Sequence, residues 1–350
     1  MSEVRFINRV KELNALKEWC STFRYTPLYI YGPEGCGKTR LLKEFIFKFD
    51  ELFGENAVAI YIDALEDRDI KRALISSSRI SKIVNVFKIS IEAISDLIKT
   101  GVPIGQALSR SISLILDKIV EKFPKRSLKD KYILVAIDDV TRAIGLNKIE
   151  WYIKWLFELM NKLNEDYRPK AVNFIITTSE GVSRRLIARH RHAEILLLWN
   201  LDRESFRELF YELKPPRNKE FESIWQLFGG NPGKLIELSY RYGWNIDRML
   251  RAYEARIREI VKRIIREGLV KELERFIENI VVAEKIMGKK MSRLEDILEK
   301  ENFILYKHWV SLTYEVFDKV YPELGIGKDY AWQVPMYKEL MKKELIKLTS

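Results

Sequence analysis

The run Gly32-Pro33-Glu34-Gly35-Cys36-Gly37-Lys38-Thr39 carries a spacing suited to phosphate: a glycine, four residues, a second glycine, then lysine and a hydroxyl. Glycines let the backbone curl so that consecutive N–H groups point inward at anionic oxygens, and a following helix adds the positive end of its dipole. Gly32, Gly35, Cys36 and Gly37 would form such a cradle, with Arg40 completing the candidate nucleotide-binding stretch. Lys38 would reach the β and γ phosphates of ATP, and Thr39 would place its hydroxyl on Mg²⁺.

A second cluster lies downstream, where the apolar run Tyr132 to Ile137 ends in Asp138-Asp139. Asp138 is suited to hold Mg²⁺ through water, and Asp139, pointing the other way along the chain, to polarise an attacking water as general base. Acidic residues also end strands for turn reasons alone, so it is the pairing with the phosphate loop that gives these two their chemistry. Further on, Thr177-Thr178-Ser179 closes another apolar run. The hydroxyl of Thr178 could sense the γ-phosphate or the attacking water, although turn and capping chemistry uses the same residues.

Other polar and aromatic clusters read more plainly. The basic run Arg184 to His192 reads as a solvated face. His190 and His192 have no cysteine or carboxylate at metal-ligand spacing, which argues against zinc. Trp151 and Trp155 stand four apart on a helical pattern with Ile153, Leu156 and Leu159, so core packing is expected.

These residues need elements to place them. Short β-branched or aromatic runs at Leu28 to Tyr31, Ala57 to Ile62, Tyr132 to Ile137, Val172 to Thr178 and Ile195 to Leu198 read as strands, with helical patterns between them. Their near-continuous apolarity is that of parallel strands buried on both faces, hence an α/β sandwich. The first strand precedes the phosphate loop, and Leu41, Leu42, Phe45, Ile46 and Phe49 follow at helical spacing. A long stretch from Asp67 to Phe123 reads as helical, an insertion over about residues 67–130 larger than a crossover requires. From Leu201 the pattern is helical, with Ser292 expected to cap Leu294 to Leu298 and a short strand at Tyr330 to Val334.

Bulk composition limits the options. A chain of 350 residues suggests more than one domain, and 47% hydrophobic with 32% charged residues describes a globular rather than a disordered chain. Cys20 and Cys36 are too few for a disulfide framework, which points to a reducing, cytoplasmic compartment. Charges break every apolar run, so no membrane span is expected. The net charge of +11 would favour an anionic partner such as nucleic acid, though Lys- and Glu-rich surfaces are also a solubility pattern.

Taken together, the motifs resemble the AAA-like ATPases built on a phosphate loop and, within them, the archaeal members of the STAND class. Phe6-Ile7-Asn8-Arg9-Val10-Lys11-Glu12 looks like that family's N-terminal box, which implies that Asn8 and Arg9 lie near adenine. Gly229-Gly230-Asn231-Pro232-Gly233 looks like its lid motif, which implies that Pro232 packs on the base. The resemblance implies a sheet of order 5-1-4-3-2 within residues 1–200, a helical lid over 201–265 and a winged-helix domain over 266–350. It further implies an ATP/ADP switch whose C-terminal domain meets duplex DNA or a protein, and which can oligomerise. The chain departs from wider family habit in carrying Lys234 where a sensor arginine is usual, with Arg184 and Arg185 as the positional candidates for an arginine finger. Two alternatives stay open: an ATP-regulated DNA-binding protein resembling archaeal origin-recognition ATPases, and a kinase.

Overall fold

The structure is a computed structural model and describes residues 4–54, 57–64, 74–77, 128–139, 145–178, 181–307 and 310–350. The chain packs as two compact units, Arg9–Tyr31 with Lys38–Leu196, and Met1–Asn8 with Gly32–Gly37 and Leu197–Ser350.

The first unit is built on a sheet. Helix α1 (Val10–Ser21) leads to β1 (Leu28–Tyr31), and α2 (Lys38–Phe53) leads to β2 (Ala57–Asp63) and β3 (Leu74–Ser77). Then follow β4 (Tyr132–Asp138), α3 (Ile149–Tyr167), β5 (Ala171–Thr178), α4 (Gly181–Ile187) and β6 (Glu194–Leu197). The sheet order is β3-β2-β4-β5-β1-β6. Parallel register runs Ala57↔Tyr132 to Asp63↔Asp138, Tyr132↔Ala171 to Ile137↔Ile176, and Leu28↔Ile175 to Tyr31↔Thr178. Strands β1 and β5 are buried along their whole length, as their unbroken apolar runs require, and the inward stripe of α2 buries Leu41, Leu42, Phe45, Ile46 and Phe49 against the sheet. Because parallel strands end together, Tyr31, Asp63, Asp138 and Thr178 lie at one edge.

The five expected strands lie in the expected order, and the structure adds a sixth. Leu74–Ser77 lies inside the stretch read as helical and pairs antiparallel with β2, Ala59↔Ser77 through Ile62↔Leu74. Four residues, Leu-Ile-Ser-Ser, are too few to show a period, so only pairing to an existing edge reveals the strand. The rest of the expected insertion up to residue 127, including Lys125 and Arg126 of its basic patch, lies outside the described residues.

Two surface readings also change. Trp151 is 65% exposed and stacks on Trp155 with ring centroids 5.9 Å apart, so this pair lies on the outer side of α3, while Tyr152, Ile153 and Leu156 are buried. Arg184, read as part of a solvated face, is buried, and the His192 ring packs on Phe157.

The second unit is mainly helical: α5 (Arg203–Glu212), α6 (Phe221–Phe228), α7 (Pro232–Tyr240), α8 (Ile246–Arg266), α9 (Val270–Glu278), α10 (Ile280–Ala283), α11 (Lys289–Lys300) and α12 (Pro335–Thr349). Strands β7 (Ile304–Tyr306) and β8 (Tyr330–Trp332) pair antiparallel, Ile304↔Trp332 to Tyr306↔Tyr330. One apolar core takes in Phe206, Phe228, Leu235, Ile257, Leu273, Leu294, Trp332 and Met341. Asp202, Asn231 and Asn245 cap their helices by accepting the N–H groups of Ser205, Lys234 and Arg248. Ser292 is not a cap: α11 begins three residues earlier, after Gly288.

Candidate functional site

At the sheet edge of the first unit, Asp138 is 2% exposed and both its oxygens are engaged. The Thr177 hydroxyl donates to Oδ1, and the Tyr61 hydroxyl donates to Oδ2 at 2.8 Å. Thr177 Oγ1 also accepts the Asp139 N–H at 3.0 Å. One hydroxyl therefore ties Asp138 to the backbone of the next residue, which sits in the left-handed region at φ 50°. Burial, and then the neighbouring Asp138 carboxylate, push the Tyr61 phenol far above its ordinary range, so Tyr61 is a permanent neutral donor.

Lys38 and Thr39 open α2, the first buried and the second half-buried, with Arg40 half-buried beside them. Thr178 is fully buried and its hydroxyl meets Ser183 on α4. Of the two adjacent threonines, Thr177 is thus the one on Asp138, as the alternation of a strand demands if Thr178 faces the other way. Arg9 takes a left-handed conformation at the start of α1 and bonds Glu12 at 2.6 Å.

In the second unit, Gly32–Gly37 forms the phosphate-type loop. The Cys36 N–H closes a turn on the Pro33 carbonyl at 3.1 Å, and Cys36 is buried with its thiol on the Leu198 carbonyl at 3.4 Å. Gly35 and Gly37 have φ of 84° and 102°. A Cβ on Gly37 would meet no atom within 4 Å, so glycine is required there by the backbone conformation alone. This loop is held by α7 and by the residue after β8. Asn231 Nδ2 donates to the Glu34 carbonyl at 2.9 Å, the Gly233 N–H donates to the Gly35 carbonyl at 2.9 Å, and the Glu34 N–H donates to Gln333 Oε1 at 2.9 Å.

Pro232 occupies the first turn of α7, directly after its Asn231 cap. Lys234 is engaged by Glu237 at 3.1 Å and by the Tyr253 hydroxyl. Asn8 lies at φ 54° with Nδ2 donating to Ser205 Oγ at 2.5 Å and to Asp202 at 3.4 Å, so it fastens the N-terminal segment to the start of α5.

Tyr61, Asn200 and Gln333 were not singled out by sequence, and within Thr177-Thr178-Ser179 the role went to Thr178 and not to Thr177. Each interrupts or ends an apolar run with a polar group, which is the available signal. Their partners come from strand register or distant segments, and that no local pattern encodes. Among the described residues no cluster of His, Cys, Asp and Glu could hold a metal by itself, and no helix is long and apolar enough to cross a membrane.

A family described as an ATPase domain predominantly from Archaea matches residues 6–238. An uncharacterized ATP-binding protein of Methanocaldococcus jannaschii is 25% identical over 266 residues, covering 68% of this chain and 71% of its own. An uncharacterized ATP-binding protein of Pyrococcus abyssi is 23% identical over 336 residues, covering 89% of each. Among solved structures, the Aeropyrum pernix ORC2 protein in its ADPNP and ADP complexes is 12% identical, with a TM-score of 0.46 over 100% of this chain and 97% of that one.

Proposed function

The chain belongs to the family of ATPase domains found predominantly in Archaea, and from that premise we propose that it is a Mg²⁺-dependent ATPase working as a nucleotide-controlled switch. The observation that supports this best is Asp138, a buried carboxylate at the end of β4 held in place by two neutral donors. Both curated relatives carry the name of ATP-binding proteins.

Thr39 and Asp138 offer oxygen donors only, a set that fits a hard divalent cation. Mg²⁺ held there would neutralise phosphate charge and orient the transferred group. The chain's own residues carry the remaining roles. The N–H groups of Gly35, Cys36 and Gly37 bind phosphate oxygens, and Lys38 sets its charge against the β and γ groups. Asp139 takes the proton of the attacking water, and Thr178 senses the γ-phosphate. In this reading Asn8, Arg9 and Pro232 border the nucleotide base. Residues 201–265 act as the lid and 266–350 as a winged-helix-like output domain that meets a protein or DNA.

Phosphate release from Mg²⁺-ATP tests the reading. The wild type should turn over, slowly or otherwise, and Lys38→Ala and Asp139→Asn should each lower the rate at least ~100-fold. Tight ATP binding with no phosphate released, with or without DNA, would remove the catalytic role of Asp139.

A second reading, ATP-regulated DNA binding, is favoured by one feature. On α8 the exposed residues Arg248, Arg251, Arg258, Lys262 and Arg266 recur at helical spacing on the outward face, with Ala255 among them and Glu259 at the border. Salt-dependent binding of duplex DNA, absent from a neutral control polymer, would support it.

A further inference from the structure

Two side-chain amides from distant stretches, Asn231 and Gln333, meet on Glu34 of the phosphate loop, and a third, Asn200, links them. Asn200 follows β6, Asn231 caps α7 and Gln333 follows β8; they are 6%, 0% and 1% exposed. Asn231 Nδ2 donates to the Glu34 carbonyl and to Asn200 Oδ1 at 3.0 Å, while its Oδ1 accepts the Lys234 N–H. Asn200 Nδ2 donates to the Gln333 carbonyl at 3.1 Å. Gln333 Oε1 accepts the Glu34 N–H, which closes the circuit, and the Gln333 N–H itself donates to the Phe303 carbonyl at 2.9 Å. The amide orientations are fixed by their partners, because a backbone N–H can only donate and a backbone carbonyl can only accept.

Both polar groups of the Glu34 backbone are therefore held by side chains of the helical unit, while the Glu34 side chain is left exposed. Gly233 approaches so closely that a Cβ on it would stand 2.7 Å from the Gly35 Cα, and its N–H fixes the next loop carbonyl. Buried amides are costly unless every partner is present, so a circuit of this kind holds or breaks as a set. A shift of the Glu34 peptide that broke one bond would strand the others in a site with little access to water.

We infer that Gln333 is a positioning residue that ties the β7–β8 hairpin to the phosphate loop, so that nucleotide occupancy of the loop is registered directly in the hairpin through the Asn200, Asn231 and Gln333 circuit. This rests on the reading of Gly32–Gly37 as a nucleotide loop. The Glu34 carbonyl held by Asn231 shares its peptide unit with the Gly35 N–H read as a phosphate donor, and Gln333 holds the preceding unit through the Glu34 N–H, so phosphate and the amides must each favour the loop shape that suits the other.

Hydrogen exchange on the full chain, with no nucleotide, with ADP and with Mg²⁺-ATP, tests it. In the wild type, nucleotide should slow exchange about tenfold or more over 303–306 and 330–334 as well as over the first turn of α2. In Gln333→Leu, which keeps bulk and removes the acceptor, the hairpin protection should vanish while that of α2 persists, and nucleotide affinity should fall about tenfold. Asn200→Ala should act in the same direction, and it serves if Gln333→Leu does not fold. Nucleotide that protects α2 of the wild type but leaves the hairpin unchanged overturns the inference and leaves the ATPase reading standing. Failure of the wild type to bind either nucleotide overturns both.

Discussion

Asp138 is oriented by the hydroxyls of Tyr61 and Thr177, and these partners fix what the carboxylate can do. Tyr61 and Thr177 donate to it without cancelling its charge, so the oxygens keep their orientation and their affinity for a further positive partner. Removing one donor leaves a buried acceptor unmet. Tyr61→Phe should lower stability by about 1–3 kcal/mol in the absence of nucleotide, read as a shift in the urea midpoint at unchanged slope. An unmoved midpoint would show that the Tyr61 bond contributes nothing net. Thr177→Val removes a donor to Asp138 and also the acceptor of the Asp139 N–H. Turnover should fall roughly 10–100-fold while ATP affinity stays within about threefold, because the change misplaces groups instead of deleting phosphate ligands. Single-turnover phosphate release set beside equilibrium binding separates the two effects. At this scale the loop and the carboxylate pair were legible because each is a contiguous string of residue types. Tyr61 was not, since only the register of β2 against β4 brings it to Asp138.

Among the elements, the packing of α12 on α8 carries a charge that the sequence pattern conceals. Glu344 is fully buried and accepts from Arg258 at 2.7 Å and Lys347 at 2.6 Å. Chiefly through the Arg258 bond, its carboxyl is held below the ordinary value of 4.5. A group with a depressed folded pKa stabilises above its unfolded pKa, so this contribution is full at neutral pH and fades as pH falls below about 4.5. Arg258 is half exposed, which screens the pair and keeps the figure modest. Glu344→Gln should cost about 1 kcal/mol at pH 7 and converge on the wild type near pH 3, measured as urea midpoints across that range. A constant gap at every pH would assign the loss to packing instead. Strands β1, β2, β4 and β5 could be located from composition because burial on both faces leaves an unbroken apolar run. Strand β3 and the true start of α11 could not, since an edge pairing and a glycine-preceded helix leave no local mark. Trp151 misled for a related reason: helical spacing near apolar residues locates a helix, yet the outer edge of its stripe is decided by what packs there.

For the whole molecule, a net charge of +11 says that anions are attracted, and only the fold says where. From Arg248 to Arg266, α8 presents five exposed cations on one face over about 27 Å at 1.5 Å rise per residue, while a sixth, Arg256, lies on another side of the helix and donates to the Glu301 carbonyl. Among the described residues, Arg248, Arg251, Lys262 and Arg266 have no ion-pair partner, whereas Arg258 is shared with Glu344. The inward side of the same helix buries Met249, Ile257, Ile260, Val261 and Ile264, so no apolar face is left over for a lipid surface. Cations at this spacing without apolar companions suit a phosphate backbone, and four of the five are arginines, which grip phosphate in a fork. If all five engage, the affinity for duplex DNA should fall with salt at a log–log slope of about −4.5. Arg251→Glu combined with Lys262→Glu should weaken binding more than ~10-fold and flatten that slope by about 2, with ATP turnover unchanged. Fluorescence anisotropy of a labelled duplex between low and physiological salt makes the measurement. A slope that the double reversal leaves intact would move any nucleic-acid contact off α8, and the absence of binding at low salt would return this stripe to the role of a solvated face.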